Sequence, residues 1–553
     1  MTDKEAIKEL FSILKNYKRS IIFILLSLLT SSGIGMIMPL INSRVMDEGF
    51  IGGNWKRLIE LMLLTLVCFF VNSAVEIFKE KKRLDISTKI KMRLEEDAFS
   101  HLMNVKISYF HNKNYAEILG NINMDISNIS SIAEEHVFCV LTGFFSMLGG
   151  TIGLFILDKR LTGIVLLFLP TKFFAMKYFA KKRKQYMDSY IMEVQDYSGW
   201  FGDAIGGVRE IRTFGIYNDK LQEFRNKKGS VIEKEKKMSM LGTWNSVADS
   251  GIIQIMMALL YIIGANYVIT GSLSVGNIFA FINYSVYVTA PISAILNIGY
   301  YMSGILPSTK RFYEFMAYEE EVDSENIEQD VSNYSKQDIV FEKVSFAYDD
   351  ATKVLDQVSF SIAPGSKTLL MGDNGSGKST VLDLIMRFYE ATDGKILLGG
   401  KSIADFALKQ YRNQISVVTQ SIYLFDDTIR KNIALYKDAD DEEIKNACEQ
   451  SGLADFIEEV SLDYRVGNNG ILLSGGQKQK IAMARALIHD TPIVIFDEAT
   501  SNADSESIKQ INSLLHTRLK DKTVLVVSHQ TEILQDADLV FVLQNGKIKK
   551  MKN

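Results

Sequence analysis

A glycine-rich segment that ends in lysine, serine and threonine carries the clearest chemical signal in this sequence. Residues 372–380 read Gly-Asp-Asn-Gly-Ser-Gly-Lys-Ser-Thr and fit the P-loop pattern G-x-x-x-x-G-K-[ST]. Thr368 to Met371 predict a strand before the segment, and Val381 to Phe388 predict a helix after it, which is the context that the pattern requires. Because the backbone N–H groups of such a loop and the helix N-terminus favour phosphate oxygens, the segment predicts a phosphate-binding site.

The side chains of this loop have separate expected contacts. Lys378 is expected to reach the β- and γ-phosphates of ATP, and Ser379 is expected to bind Mg²⁺. The alternative is a glycine-rich turn that binds no phosphate, and the strand, the lysine and the serine together make it the weaker interpretation. The predicted nucleotide contacts of the loop are Gly372, Asp373, Asn374, Gly375, Ser376, Gly377, Lys378, Ser379 and Thr380.

Two adjacent carboxylates follow a second apolar run, Pro492 to Phe496. Consecutive apolar residues are typical of a central parallel strand that is buried on both faces. Asp497 at its carboxyl end can hold the water shell of Mg²⁺, and Glu498 can accept a proton from the attacking water. The alternative is a solvated turn. Downstream of a P-loop, the catalytic interpretation is favoured.

A third segment, Leu473-Ser-Gly-Gly-Gln477, precedes an amphipathic stretch from Lys478 to Ile488. It resembles the L-S-G-G-Q signature of the ATP-binding-cassette ATPases. Two glycines and a serine at the start of a helix form a second N-terminus that can bind phosphate. The resemblance implies that each ATP lies between the P-loop of one subunit and the signature of the other. The implied contacts are Ser474, Gly475, Gly476 and Gln477.

The same resemblance assigns roles to positions between and after these segments. Tyr348 matches the aromatic residue that stacks on adenine, and Gln420 matches the glutamine that senses the γ-phosphate and Mg²⁺. His529 matches the switch histidine, and Ser501 to Asp504 match the dimer-contact loop. The implied catalytic residues are therefore Glu498, His529 and Gln420, and the implied Mg²⁺ contacts are Ser379, Gln420 and Asp497.

Two positions depart from the family pattern. Asn468 stands where exporters of this type often carry a glutamate before the signature, and Asn502 stands where alanine is usual. The missing carboxylate at position 468 puts one expected contact between subunits in doubt. Neither departure removes a residue that is needed for hydrolysis.

Six long apolar runs in the first part of the chain are the elements expected to span a membrane. A spanning helix needs roughly 20 mostly apolar residues, and six such runs make buried helices of a soluble protein the weaker interpretation. The predicted spans are Ile21 to Ile41, Leu58 to Ile77, Val137 to Leu157, Leu161 to Ala180, Ser246 to Ile269 and Ile278 to Leu306.

The distribution of lysine and arginine predicts which connections face the cytosol. Basic clusters lie in the N-terminal segment and after the second and fourth spans. An even number of spans then places both chain ends and the ATPase domain in the cytosol. The two long inner connections are predicted to continue the spanning helices into the cytosol, and to turn at Asn112 to Glu117 and at Ser198 to Gly206.

Composition supports this division of the 553 residues. The net charge of −4 gives no nucleic-acid footprint, and Cys68, Cys139 and Cys448 have no disulfide or metal-site spacing. The predicted fold class is an α-helical transmembrane domain of six spans with long cytosolic extensions, fused to an α/β P-loop ATPase domain of ABC type. The predicted boundaries are 1–316 for the transmembrane domain, 317–337 for an acidic linker and 338–553 for the ATPase domain.

Spans followed by an ATPase in one chain resemble the type IV exporters. Gly206 to Phe214 and Gly271 to Phe281 agree with this family locally. The resemblance implies a homodimer in a bacterial cytoplasmic membrane that exports a peptide or lipophilic compound by alternating access, with ATP and Mg²⁺ as cofactors and no nucleic-acid partner. A lipid flippase or multidrug exporter has the same architecture. An ATP-gated channel or signalling module and a soluble DNA-repair or translation ATPase are the alternatives from other classes.

A lysine inside the fourth span gives the one residue-level hypothesis about the substrate. Lys172 lies about 12 residues beyond Arg160, or roughly 18 Å along a helix, which is somewhat past the middle of a bilayer core of about 30 Å. An ammonium there needs water, a partner or a ligand, so Lys172 is predicted to contact an anionic substrate. The alternative is that it snorkels to the inner headgroups. Its predicted companions are Asn283, Tyr284 and Tyr287.

Overall fold

A computed structural model describes residues 1–111, 113, 115–321, 330–348, 353–498, 505–528 and 537–551. It divides into two compact units. The first unit contains Met1–Met103 and Lys113–Tyr318, and the second contains Asn104–Asn112 and Glu319–Asn553. The second unit is therefore assembled from two separate stretches of the chain.

The first unit is helical, and the predicted six apolar spans are confirmed by helix length and composition. The last of the six consists of two consecutive helices, because Pro291 begins a new helix after Ala290. The helices are α1 (Asp3–Lys15), α2 (Lys18–Arg44), α3 (Trp55–Asn104), α4 (Tyr115–Ser130), α5 (Glu135–Leu157), α6 (Lys159–Gly206), α7 (Val208–Thr213), α8 (Tyr217–Ile269), α9 (Val275–Thr289) and α10 (Pro291–Met316).

Three of these helices are far longer than a bilayer requires, as the sequence predicted. Helices α3, α6 and α8 contain 50, 48 and 53 residues. At 1.5 Å per residue each is about 75 Å long, whereas the hydrocarbon core is about 30 Å thick. Each helix therefore extends well beyond the apolar segment that can span the membrane.

The predicted turn at Ser198 to Gly206 is wrong, because these residues still belong to α6. The chain turns later, through α7 and Gly215, whose φ of +65° suits a residue without a side chain. Isolated glycines inside a helix, such as Gly199 and Gly202, cost only about 1 kcal/mol each and need not end it.

The other predicted turn also falls elsewhere. A 3₁₀ turn over Ile107–Phe110 follows α3, and Glu117 already lies in α4. Asn112 is outside the described residues. The turn between the two helices therefore begins before the predicted segment.

The membrane helices pack closely where glycine faces a large ring. A Cβ on Gly153 of α5 would lie 2.8 Å from the ring of Tyr284 on α9. This ring is buried among Leu154, Val165 and Leu260, and its hydroxyl donates to the carbonyl of Met36. Because Gly153 has no side chain, α5 can pack closely against the buried ring of Tyr284 on α9.

A carboxylate joins the connection between α2 and α3 to the start of α9. The seven residues Val45–Ile51 form a π-helical segment, and Asp47 within it accepts hydrogen bonds from Ser274 Oγ (2.5 Å) and from the backbone N–H of Gly276 (2.8 Å). A Cβ on Gly276 would lie 2.1 Å from the carbonyl oxygen of Ser43. We refer to Asp47, Ser274 and Gly276 as the α9 clip.

The second unit contains two sheets. A six-stranded sheet has the order β10-β9-β3-β8-β7-β6, in which only β10 is antiparallel, and a four-stranded antiparallel sheet has the order β2-β1-β4-β5. The strands are β1 (Ile339–Ala347), β2 (Lys353–Ile362), β3 (Lys367–Gly372), β4 (Asp393–Leu398), β5 (Lys401–Ser402), β6 (Ile415–Val418), β7 (Ile493–Asp497), β8 (Thr523–Ser528), β9 (Leu539–Gln544) and β10 (Lys547–Met551).

Seven described helices cover the parallel sheet. They are α11 (Lys378–Ile385), α12 (Leu408–Arg412), α13 (Ile429–Ala434), α14 (Asp441–Gln450), α15 (Ala454–Val460), α16 (Gly475–His489) and α17 (Ser505–His516). Strand β7 is buried on both faces, as its apolar run predicted: Val494 and Phe496 join one core cluster, and Ile493 and Ile495 join the other. The helical and α/β fold class predicted from the sequence is confirmed.

Parallel strands determine where the polar side chains of the second unit converge. Strands β3, β6, β7 and β8 run in the same direction, so their carboxyl ends lie along one edge. Residues 372, 418, 497 and 528 end these strands. Ligands of open α/β sheets bind outside this edge, and the P-loop begins there.

Candidate nucleotide site

The P-loop connects the end of β3 to the first turn of α11. Gly375 and Gly377 have φ values of +78° and +103°, which L-residues with side chains rarely adopt. A Cβ on Gly372 would lie 2.5 Å from the carbonyl oxygen of Leu543 on β9. Glycine at these positions therefore allows the tight curl between strand and helix that the sequence pattern predicts.

Lys378 holds its ammonium at the mouth of this loop. Its Nζ donates to the carbonyl oxygens of Gly372 (2.8 Å) and Asp373 (3.0 Å), and only 6% of the side chain is exposed. The carboxylate of Glu498 is also near, with Oε1 3.8 Å from Nζ. A buried cation thus lies between loop carbonyls and a carboxylate.

Glu498, which follows β7, forms hydrogen bonds with residues at the ends of β6 and β8. Its Oε2 accepts a hydrogen bond of 2.6 Å from Nε2 of Gln420, which follows β6, while its backbone N–H donates to Val527 on β8. The residue has a φ of +45°, which is uncommon for a residue with a side chain and is found at functional sites. The predicted residues Gln420, Glu498 and Lys378 therefore lie in one cluster.

Asp497, at the end of β7, is a carboxylate that lacks a full countercharge. Burial raises the pKa of Asp497 above its ordinary value, and the nearby carboxylates of Glu498 and Asp383 raise it further, while Lys378 opposes them. Burial also raises the pKa of Asp383. Carboxylates with raised pKa values would be stabilised as anions by a divalent cation.

Two hydroxyls of the loop fit a bound phosphate and metal. The Oγ of Ser376 is buried and has no hydrogen-bond partner within the described residues, which is costly unless a ligand or water supplies one. Ser379 is exposed beside it. Together with the carboxylates near Lys378, these groups fit the phosphates of a nucleotide with Mg²⁺.

Tyr348, which follows β1, presents its ring next to α11. Its hydroxyl lies 3.1 Å from Thr380 Oγ1 and 3.4 Å from Asp383 Oδ2, and Tyr389 packs against its ring edge to face at 5.1 Å. The residue is 46% exposed. Asp383 was missed by the sequence interpretation, although its position on the first turns of α11 places it beside the P-loop.

A second missed residue comes from the shorter stretch of the second unit. The ring of His111 lies 6.1 Å from that of Tyr348 with an interplanar angle of 9°. Val105 forms an antiparallel bridge with Glu320, and Lys106 Nζ lies 2.7 Å from Glu319 Oε2. A segment that is more than 200 residues before Tyr348 thus reaches the predicted adenine position, and no local pattern in the sequence indicates it.

The signature segment forms an open helix N-terminus. Ser474 caps α16 by accepting from the backbone N–H of Gln477, whose side chain in turn accepts from the N–H of Ser474 (2.8 Å). A Cβ added to Gly475 or Gly476 would meet nothing within 4 Å, and both residues are exposed. The capping box therefore fixes the helix start, and its glycines leave the N–H groups accessible to a phosphate.

Two of the predicted elements lie outside the described residues. His529 directly follows β8, and the predicted dimer-contact loop from Ser501 to Asp504 follows Glu498. The position of β8 between β3 and β7 places the end of that strand beside the P-loop. The roles of His529 and of the loop remain predictions.

The four predicted substrate residues do not converge on one site. Lys172 is 1% exposed, and its ammonium lies 2.8 Å from Oδ1 of Asp249 on α8, so its charge is met by a partner within the protein rather than by a cavity. The Tyr284 hydroxyl bonds Met36, and the amide of Asn283 donates to its own helix at Phe279. Tyr287 lines a cavity among the membrane helices. The partner of Lys172 could not be predicted, because Asp249 is distant in sequence and lies on another helix.

Comparisons with known proteins agree with this geometry. The family described as "ABC transporter transmembrane region" matches residues 21–292, and the family described as "ABC transporter" matches residues 355–501. An ATP-dependent lipid A-core flippase of Hahella chejuensis (strain KCTC 2396) is 31% identical over 83% of this chain and 78% of its own length. The flippase of the same name from Sodalis glossinidius (strain morsitans) is 29% identical over 99% of this chain and 95% of its own.

One solved structure is similar in fold over almost the whole chain. It is a bacterial Atm1-family ABC exporter with ATP bound, which matches with a TM-score of 0.82 and 22% sequence identity. The match covers 96% of this chain and 94% of that one. At this identity, the likeness establishes that both chains share a fold.

Proposed function

The chain belongs to the ATP-binding-cassette transporter family, and on that premise we propose that it exports a lipophilic compound or a peptide across a bacterial cytoplasmic membrane. It is a multi-pass membrane protein whose nucleotide-binding domain is an ATPase coupled to transport. The observation that carries the proposal is the cluster of Lys378, Glu498 and Gln420 beside the P-loop, in a chain that also has six spanning helices.

The residues around this cluster have separate proposed roles in ATP hydrolysis. ATP, when bound with Mg²⁺, supplies the phosphoanhydride whose hydrolysis releases the free energy for transport. Lys378 would bind the phosphates, and Ser379 and Asp497 would hold Mg²⁺ and its water. Glu498 accepts a proton from the attacking water at a carboxylate oxygen, and Gln420, which bonds that carboxylate here, orients it.

The open signature helix implies a second subunit. Gly475 and Gly476 leave the N-terminus of α16 accessible, and a phosphate bound there would be that of the partner's ATP. Because this one chain contains both the P-loop and the signature, two identical copies suffice for two equivalent sites. We therefore propose a homodimer that closes on ATP and separates after hydrolysis.

The relatives support export and leave the cargo open. Two of them are named lipid A-core flippases, which agrees with a lipophilic cargo. Basic clusters beside the second and fourth spans favour a cytosolic ATPase domain and cytosolic chain ends.

Replacement of the proposed base tests this function. Glu498→Gln keeps the volume and the hydrogen-bonding capacity but removes the proton acceptor, so ATPase activity in proteoliposomes should fall about 100-fold or more, with ATP binding retained. ATP-driven movement of a fluorescent phospholipid or a hydrophobic dye should be lost with it. Glu342→Gln, an exposed carboxylate on β1, is the control and should leave both unchanged. Hydrolysis by Glu498→Gln at the parent rate would refute the assignment.

A further inference from the structure

A cavity of about 300 Å³ lies among the membrane helices α2, α3, α5 and α9. This is the size of small-molecule pockets at the lower end of their range, or about ten water volumes. Its lining residues come from four separate helices, so the cavity is a feature of the packed bundle. We call it the bundle cavity. It is lined by Ser31, Ser32, Ile34, Gly35, Met36, Met38, Cys68, Phe69, Asn72, Thr142, Ser146 and Tyr287.

Several polar groups of the bundle cavity have unused hydrogen-bonding capacity. The Oγ of Ser32 is buried without a partner within the described residues. Ser31 donates to Asn72 Oδ1 (2.7 Å), which occupies the oxygen of that amide and leaves its two N–H donors unused by the described part of the chain. Ser146 and Tyr287 also line the cavity, and both residues are only partly buried.

These groups lie in helices that span the membrane. An unpaired hydroxyl or amide in that environment costs free energy, because lipid tails offer no hydrogen bonds. The cost is offset if water or a ligand fills the cavity. Ile34, Phe69 and the two methionines add apolar surface to the lining, and apolar lining with a few polar groups is the combination expected for an amphipathic ligand.

The absence of charged lining residues restricts the charge of a ligand that the cavity can bind. None of its lining residues is acidic, basic or histidine, so a charged ligand would be buried without a countercharge, which is unfavourable. Lys172, the cation that could have bound an anionic headgroup, is instead paired with Asp249. Asp249 also accepts from Ser293 Oγ at 2.9 Å. The charge of Lys172 is thus opposed by that of Asp249 within the protein.

From these observations we propose that the bundle cavity binds the uncharged, hydrogen-bonding part of the transported compound. Asn72 donates its amide hydrogens to a carbonyl or hydroxyl of the ligand, and Tyr287 and Ser146 act as donor or acceptor. The proposal rests on the transport function proposed above for its biological meaning. Binding itself requires no ATP, so it can be tested separately.

The test uses three probes with the same twelve-carbon chain and different head charge: dodecanamide, dodecanoate and dodecyltrimethylammonium. The full chain in lipid nanodiscs is photolabelled without nucleotide by a dodecanamide that carries a diazirine, and the labelled peptides are mapped. Labelling should fall on α2, α3, α5 or α9 at the cavity. Unlabelled dodecanamide should compete about tenfold better than either charged probe, a difference of about 1.4 kcal/mol.

Variants identify the groups that bind. Asn72→Leu and Tyr287→Phe should each weaken labelling by about three- to tenfold, as expected for one lost hydrogen bond. Asn266→Leu replaces an exposed asparagine of α8 outside the cavity and should leave labelling unchanged. Basal ATPase activity of each variant reports whether it has folded. Equal competition by the charged probes, or labelling that neither cavity variant weakens, would overturn the proposal.

Two further competitors distinguish the source of the ligand. Dioleoylglycerol is an uncharged membrane lipid, and an N-acetylated, C-amidated tetraleucine is an uncharged peptide. The one that competes with the dodecanamide label identifies the class of cargo, and competition by neither contradicts the proposal. If labelling behaves as expected but ATP drives no movement of the competing compound, the site stands and the export function fails.

Discussion

The ammonium of Lys378 lies against two carbonyl oxygens of its own loop and near Glu498. Removing it should weaken ATP binding, because a hydrogen bond to a charged group contributes about 1.5–3 kcal/mol. Lys378→Met is expected to raise the dissociation constant of ATP by about 10- to 150-fold, measured by calorimetry in EDTA and again in Mg²⁺. The matched control is Lys395→Met, which alters an exposed lysine on β4. An unchanged affinity for Lys378→Met would contradict the proposed phosphate contact.

Asp497 predicts a pH dependence of stability. Its folded-state pKa is raised by burial and by neighbouring carboxylates, so the folded protein holds this proton more tightly than the unfolded chain does. The stabilising effect of that proton is present at low pH and is lost as the pH rises through the raised pKa. Without metal, Asp497→Asn should therefore unfold at a higher temperature than the parent at pH 7 to 8.

The advantage of Asp497→Asn should shrink as the pH falls toward the ordinary Asp value of 3.8. Calorimetry of the full chain in detergent with EDTA measures both transitions. Asp393→Asn, at an exposed position at the start of β4, should show no such trend. If the difference in unfolding temperature between Asp497→Asn and the parent grew toward acid pH, protonation of Asp497 would destabilise the fold, contrary to this prediction.

Local patterns indicated where some single residues lie, and their roles stay predictions. The P-loop, Gln420, Asp497 and Glu498 each follow a strand, and parallel strands bring their ends together. Asp249 and His111 could not be found in this way, because each acquires its importance from a partner on another element. Hydropathy and spacing carry no information about such pairs.

At the scale of elements, apolar length predicted the six spans. The runs Thr368 to Met371 and Pro492 to Phe496 predicted strands where β3 and β7 lie. The turn after the fourth span was misplaced, because glycine content alone does not determine where a helix ends. Gly199 and Gly202 remain inside α6, whereas Gly215 is used for its positive φ. The difference lies in backbone conformation, which sequence composition does not record.

The α9 clip should contribute measurably to the stability of the membrane helices. Asp47→Ala removes two hydrogen bonds at the start of α9 and should cost about 1 kcal/mol, as for the loss of a helix cap. Gly276→Ala should cost more, because its Cβ would collide with the Ser43 carbonyl and the Asp47 carboxylate.

Tryptophan fluorescence during heating in detergent measures these changes, since all three tryptophans are in the first unit. Gly251→Ala is the matched control, because nothing lies within 4 Å of its added Cβ in α8. That control should be neutral or slightly stabilising. Equal effects of Gly251→Ala and Gly276→Ala would show that the close approach at the clip is unimportant.

At the scale of the whole molecule, the proposed homodimer predicts complementation between two inactive variants. Lys378→Met damages the P-loop, and Gly476→Asp places a negative charge at the signature helix. Each alone should abolish ATPase activity. Mixed dimers should regain one intact site, formed by the undamaged P-loop of one copy and the undamaged signature of the other.

For random 1:1 mixing, half of the dimers are mixed and each has one working site, so about a quarter of the parent activity is expected. Co-expression of differently tagged copies and tandem purification isolates the mixed dimer for measurement. Mixing two preparations of Lys378→Met provides the control and should restore nothing. Inactive purified mixed dimers would have one of two explanations. Either each ATP site is formed within one copy, or hydrolysis requires both sites to be intact.

The nucleotide-binding unit is assembled from two stretches of chain, and this has a consequence for modular exchange. A graft that transplants the sequence from Glu319 onward carries the P-loop, the signature and both sheets, but it leaves behind Val105, which bridges Glu320, and Lys106, which pairs with Glu319. Such a chimera carries Glu319 and Glu320 without the two residues that they contact in this chain. A transplant that moves residues 104–112 together with the sequence from Glu319 onward keeps these contacts.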